Sequence, residues 1–207
     1  MFKRFKVRLR TTRRLLANLP SDPKAIIHAV RKSRASVGLD TDEEAVKSEA
    51  EELLQSMPPE ATQLVFLRDG KGIYLRERNV KGLLKEVAKV LGKRTYFEYI
   101  RHGMYVEEDR IYLKRDGKHV EKPDGTEARG ISVVTMRGPR SALKEAEYLE
   151  PPVEIEFTLE IIPYVLRRMG GAEGLREMLE IGGKIGLCGD RSLGMGRFEV
   201  VEFRELR

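Results

Sequence analysis

The stretch "GLCGDRSLGMGRF", residues 186–198, sets four glycines, two arginines, a serine and an aspartate directly before the apolar residues Phe198, Val200, Val201 and Phe203. Glycine loses more backbone freedom on folding than any other residue, so its concentration at one connection needs a physical reason. Successive glycines let neighbouring N–H groups point into one concavity, a nest that holds an anion, chiefly phosphate. Arg191, Ser192 and Arg197 add charge and a hydroxyl to such a nest. The other reading is a tight connection packed against a neighbouring strand, where glycine serves close approach alone. The stretch is not a Walker A loop: it lacks a Gly-Lys-Ser/Thr ending and leads into a strand. The same context excludes a dinucleotide fingerprint.

Outward from the loop, "AEGLREMLEIGG" reads as a helix before it and residues 197–203 as a strand after it. Upstream, "PPVEIEFTLEII" alternates cleanly, with Ile155, Phe157, Leu159 and Ile161 on one face and Glu154, Glu156, Thr158 and Glu160 on the other. The N-terminal stretch alternates in the same way, Phe5, Val7 and Leu9 against Lys6, Arg8 and Arg10. "SDPKAIIHAVRKSRASVG" predicts a helix with Asp22 as N-cap, Pro23 at its first position and Gly38 past its end. "TDEEAVKSEAEELLQSMPP" predicts an acidic helix over about 40–58, with Thr41 and Glu44 as a capping box and Pro58-Pro59 as its stop. A hairpin is expected around Asp69-Gly70, then a helix capped by Asn79 and ended by Gly92. Residues 93–130 read as a polar, partly mobile insertion with a possible strand at Ile111–Leu113 and turns at Asp116-Gly117 and Asp124-Gly125, followed by the strand "GISVVTM" and a charged connector. The order β–α, insertion, β, β, α, β predicts an α+β, ferredoxin-like (RRM-type) antiparallel sheet with helices on one face, forming a single domain over 1–207.

With 207 residues, 41% hydrophobic and 35% charged, the chain reads as globular and large enough for a substantial core. One cysteine, Cys188, excludes an internal disulfide framework and a Cys-rich zinc site. No apolar run reaches bilayer length, so no membrane partner and a cytoplasmic setting are expected. The net charge of +6 is localised: residues 1–34 hold eleven Lys/Arg and one acid, whereas residues 39–60 hold eight acids and one lysine. A localised basic field suits RNA or DNA, though a solvated charged surface has the same composition. Lys6, Arg8 and Arg10 either face nucleic-acid phosphates or pair across strands with Glu154, Glu156 and Glu160.

The pattern GxRSxGxG followed by a basic residue and a C-terminal strand resembles the signature of the RAMP superfamily, the RNA-binding proteins of CRISPR systems. The matching residues are Gly189, Arg191, Ser192, Gly194, Gly196 and Arg197. "LREMLEIGGKIG" resembles the helix leading into that loop, and Lys81-Gly82 in "LRERNVKGLLKEV" is a weaker match. Where the family has a second glycine beside Gly189, this chain has Cys188. The resemblance implies a ferredoxin-like fold that binds guide RNA, without a cofactor, as a non-catalytic subunit of a ribonucleoprotein effector. The nucleic-acid contacts it implies are the six loop residues, with Arg8, Arg10, Arg13 and Arg14 in support.

Two alternatives stand beside this. A metal-independent endoribonuclease that processes CRISPR RNA needs a base for the 2′-OH and an acid for the leaving oxygen, roles histidine suits near neutral pH. His102 in "YIRHGMY" and His28 are the candidates. No metal-ligand set is expected, because helix capping explains Asp40, Asp42, Glu43 and Glu44. Tyr96, Phe97, Tyr99, Tyr105 and Tyr112, interleaved with Lys93, Arg94, Arg101 and Arg110, suit either single-stranded nucleic acid or a core. The second alternative is a structural or interaction protein whose glycine loop only packs.

Overall fold

Alternation in the first strand sets the layout. The structure, a computed structural model, describes residues 2–20, 23–37, 40–55, 64–135 and 138–206. Its first element, β1 (Lys3–Thr11), turns Phe5, Val7 and Leu9 fully inward. Two short strands follow, β2 (Leu15–Leu16) and β3 (Leu19–Pro20), then α1 (Pro23–Val37) and α2 (Glu43–Gln55). Next come β4 (Leu64–Val65), β5 (Leu67–Asp69), β6 (Gly72–Leu75), α3 (Glu77–Val90) and α4 (Tyr96–Gly103). The strands β7 (Met104–Val106), β8 (Ile111–Arg115) and β9 (Lys118–His119) precede a long hairpin of β10 (Gly125–Thr135) and β11 (Gly138–Leu149). Then follow β12 (Glu154–Ile161), α5 (Pro163–Arg168), α6 (Gly171–Ile185) and β13 (Phe198–Leu206).

The fold is mixed α/β with antiparallel sheets. In the main sheet the order is β13-β1-β12-β8-β6-β5, and β1 lies between two antiparallel partners. Phe5, Val7 and Leu9 stand opposite Leu159, Phe157 and Ile155. Val80, Leu83, Leu84 and Val87 of α3 and Leu175, Met178 and Leu179 of α6 join them in one core. Each large apolar side chain buried there contributes about 1.5–3 kcal/mol relative to exposure. A second sheet runs β10-β11-β4-β3, with β2 beside β11. A smaller core joins α1 and α2 to the outer strands through Ile26, Val30, Val46, Leu53, Leu67 and Tyr74.

Several sequence expectations change here. The segment 93–130 is no polar insertion. Its Ile100, Met104, Ile111 and Leu113 are buried, and β7 and β8 both pair with β12. The possible strand at Ile111–Leu113 is β8, whereas the three-residue β7 carries too few alternations to stand out among charged neighbours. Residues 130–135 of "GISVVTM" belong to β10 and so to the second sheet, Met136 lying outside the described residues, and the expected connector is the partner strand β11, in register from Gly125↔Tyr148 to Thr135↔Gly138. The acidic helix is capped by Asp42, whose Oδ1 accepts the Glu44 N–H at 2.7 Å, rather than by Thr41. Asn79 lies inside α3 and reaches back, its Oδ1 accepting the Arg76 N–H at 3.1 Å. The hairpin around Asp69-Gly70 is β5–β6, whereas Leu64 pairs with Ala146 and Pro20 in the other sheet. Asp22, Gly38 and Pro58-Pro59 lie outside the described residues.

Candidate nucleic-acid interface

The glycine loop closes on itself and on the segment after β1. The Leu187 N–H donates to the Gly196 carbonyl at 2.9 Å, and the Gly196 N–H donates to the Arg14 carbonyl at 2.7 Å. Gly189 donates to Leu16 at 2.8 Å, Gly194 to the Arg191 carbonyl at 2.9 Å, and Leu193 and Met195 to the Asp190 carbonyl at 2.9 and 3.4 Å. These N–H groups do not form the outward-facing nest expected of them; they tie the loop down. Sterics explain the glycines. At Gly196, with φ +67, a Cβ would lie 2.0 Å from the Leu187 carbonyl oxygen, and at Gly186, with φ +98, 2.1 Å from that of Met195. Only a residue without a Cβ permits that approach.

What the loop presents outward is side chains. Ser192 and Arg197 are exposed, Arg191 is half-buried on the short 3-10 turn Arg191–Leu193, and Arg13 is exposed across the turn after β1. The Arg197 carbonyl accepts the Thr12 and Arg13 N–H groups at 2.8 and 3.3 Å, which brings Arg13 and Arg197 to the same end of the sheet. Among the described residues no carboxylate pairs with Arg13, Arg191 or Arg197.

The other predicted cations are placed differently. Arg8 pairs with Glu202 at 3.6 Å, Lys6 with Glu156 at 3.0 Å, and Arg10 with Glu154 and Glu199 at 3.7 and 3.5 Å. Cross-strand pairing therefore describes that face. Arg14 holds Glu127 and Glu150 at 3.2 and 2.5 Å and lies 4.4 Å from the centre of the Tyr148 ring. Asp190 meets Arg129 of β10 at 3.8 Å.

Two cavities adjoin the loop and share Asn18, Cys188 and Arg191 in their walls. One, of about 230 Å³, is lined by Phe66, Tyr74, Arg78 and Asn79, and the other, of about 730 Å³, runs past Lys184, Gly189 and Ser192. Asn18 had no signal in the sequence, belonging to no motif or regular period, and Arg78 lies in the segment "LRERNVKGLLKEV" but outside its Lys81-Gly82 match. Burial holds the Arg78 guanidinium below its ordinary pKa, against the pull of Glu49. Cys188 adopts φ +63, a left-handed conformation in which glycine is the unstrained choice. Burial pushes its thiol up to about 12, against the Arg191 charge, which disfavours the thiolate although the side chain is part-exposed at the cavity walls.

The candidate histidines lie on different helices. His28 is exposed on α1. His102, on α4, faces Glu98 one turn away at 3.4 Å, with both side chains 60% exposed. Tyr96 is buried, Tyr112 stacks on His119 with ring centres 5.0 Å apart, and Tyr105 lies under the Lys81 ammonium at 4.8 Å. Among the described residues no cluster of three or more His, Cys, Asp or Glu is placed to hold a metal, and no helix is long and apolar enough to cross a membrane.

A solved structure shares this architecture. A chain in the cryo-EM structure of the type III-B Cmr-beta bound to cognate target RNA superposes with a TM-score of 0.51 at 11% identity, covering 100% of this chain and 61% of that one. The chain therefore shares the fold of that chain of the complex. The likeness is one of fold alone, and this chain spans 61% of the other's length. A chain of the Csm1-Csm4 cassette in complex with pppApA aligns over 99% of this chain and 70% of that one at 15% identity, with a TM-score of 0.24, too low to carry an argument. No family model and no curated protein matches the sequence.

Proposed function

We propose that this chain is a non-catalytic RNA-binding subunit of a cytoplasmic CRISPR effector complex and that it grips guide RNA at the glycine-loop end of its main sheet. The observation that carries this reading is the trio Arg13, Arg191 and Arg197, exposed or half-exposed and without a carboxylate partner among the described residues. Unpaired guanidiniums suit phosphate oxygens, which they meet with two parallel N–H donors. Ser192 adds a hydroxyl beside them, and the close-packed glycines 189, 194 and 196 hold the arginines in place. The core that carries them is read as ferredoxin-like: β1, α3, β8, β12, α6 and β13 follow that chain order, and the sheet order β13-β1-β12-β8 agrees with it. Other subunits of the complex are the expected protein partners.

Binding of fluorescent single-stranded and repeat RNA across a salt series tests this. Arg191→Ala combined with Arg197→Ala weakens binding to all sequences, because phosphate contacts carry little sequence information. Affinity equal to wild type at low and moderate salt overturns the reading. Repeat RNA incubated with the protein in chelator stays intact; cleavage that His102→Ala abolishes would make the chain a nuclease instead.

A further inference from the structure

A second group of unpaired cations lies at the opposite end of the main sheet. The loop feeds β13 where Phe198 faces Thr11, the last residue of β1. Lys3, the first residue of β1, faces Ile161, and α5 begins two residues later at Pro163. The eight steps from Lys3 to Thr11, at about 3.3 Å each, separate the two ends by about 26 Å. Here α5 meets α4 and the segment before it. Lys93, Arg94, Arg167 and Arg168 are all exposed. Among the described residues none of the four has a carboxylate partner, in a chain where most arginines do. The nearby acid Glu98 is engaged by Arg101 at 3.2 Å and His102 at 3.4 Å.

Aromatic rings link two of these cations, Lys93 and Arg168. The Arg168 Nε donates to the Tyr99 hydroxyl at 3.4 Å. The Lys93 ammonium lies 5.0 Å from the centre of the Tyr96 ring and 3.2 Å from its hydroxyl, which in turn donates to the Arg168 carbonyl at 3.5 Å. Tyr164 lies within electrostatic reach of Arg168, yet 55% of its surface faces solvent. An exposed ring beside exposed guanidiniums is the arrangement on which unpaired bases stack while the cations follow the backbone. An acidic peptide would use the charges and leave that ring idle.

We infer that this end of the sheet is a second site for single-stranded RNA, in which Lys93, Arg94, Arg167 and Arg168 meet phosphates and Tyr164, which like Tyr99 lies by Arg168, takes a base. The site stands on its own residues and does not require the glycine-loop reading. The test uses the full chain with oligouridines of about 4 and about 20 nucleotides, lengths that bracket ordinary single-strand sites. The paired change Tyr164→Ala and Arg167→Ala alters exposed side chains and spares the Tyr99–Arg168 contact. It lowers affinity for the longer RNA roughly tenfold, whereas Tyr164→Phe binds as wild type. Photoreactive 4-thiouridine RNA crosslinks to the peptide containing Tyr164, and still does so in the Arg191→Ala, Arg197→Ala protein. Unchanged affinity of the Tyr164→Ala, Arg167→Ala protein, with loss in the Arg191→Ala, Arg197→Ala protein, overturns this site and leaves the glycine-loop reading intact. Loss of binding to a polyglutamate peptide with RNA binding unchanged also overturns it, in favour of an acidic protein partner.

Discussion

The open face of the main sheet and its glycine-loop end are both rich in arginine, but they differ in what their charges do. On the face, Lys6, Arg8 and Arg10 meet Glu154, Glu156, Glu199 and Glu202 from the strands on either side. At the loop end Arg13, Arg191 and Arg197 meet no carboxylate among the described residues. Charge content alone does not mark a polyanion surface. What marks it is charge left over after the neighbouring strands have been paired.

The comparison breaks most visibly at the loop's packing. Gly196→Ala forces a Cβ to within 2.0 Å of the Leu187 carbonyl at φ +67. It should cost about 3 kcal/mol or more, read as a lower urea midpoint, with RNA binding weakened as far as it is by Arg191→Ala combined with Arg197→Ala. The charge contrast itself is measured by salt. Each phosphate contact to a single strand contributes a slope of about 0.7 in log K against log salt, so losing both Arg191 and Arg197 should flatten it by about 1.4. Arg8→Gln with Arg10→Gln should leave the slope unchanged, since those groups already hold carboxylates.

Saturation extends beyond the sheet face to Asp69, which accepts from the Arg110 guanidinium at 2.5 Å, the Tyr112 hydroxyl at 2.7 Å and the Lys71 N–H at 2.8 Å. Burial raises its pKa, but Tyr112, Lys71, Arg110 and Gly72 outweigh it and hold the carboxyl at about 2, below its ordinary 3.8. A depressed carboxyl stabilises the fold above its ordinary value and loses that contribution as pH falls from about 4 towards 2. Asp69→Asn should therefore destabilise by about 1–3 kcal/mol at neutral pH, with the difference shrinking across that window in pH-dependent unfolding. Arg10→Ala, on the exposed ladder, should cost less than about 1 kcal/mol in the same assay. The smallest effect concerns Cys188: alkylation should be slow in the native protein at pH 8 and rapid in denaturant, because burial keeps the thiol protonated.

Much of the fold was legible where alternation is long. Phe5, Val7 and Leu9, and Ile155 to Ile161 at every second residue, run long enough for a two-residue period to stand out, and both sets are buried. The short β8 was legible only as a possible strand, since Ile111 and Leu113 are two inward residues among charges, and its place beside β12 was not. The hairpin partner β11 was not either, because backbone ladder bonds can hold a strand that has no apolar stripe. At the site, the loop and its arginines were visible as a motif, whereas Arg78 and Asn18 reach the cavity walls from elements distant in sequence.

By itself the sequence determined the inward and outward faces of β1 and β12, the helices that cover them and the crowding of glycine before β13, because local period and backbone freedom are properties of neighbouring residues. Only the tertiary structure decided the direction of the loop's N–H groups and the pairing of the arginines. Both depend on which carbonyl or carboxylate arrives from elsewhere in the chain. Arg14 and Leu16 supply the carbonyls that take the N–H groups of Gly196 and Gly189. The flanking strands supply the carboxylates that neutralise Arg8 and Arg10 while leaving Arg13, Arg191 and Arg197 unmatched among the described residues.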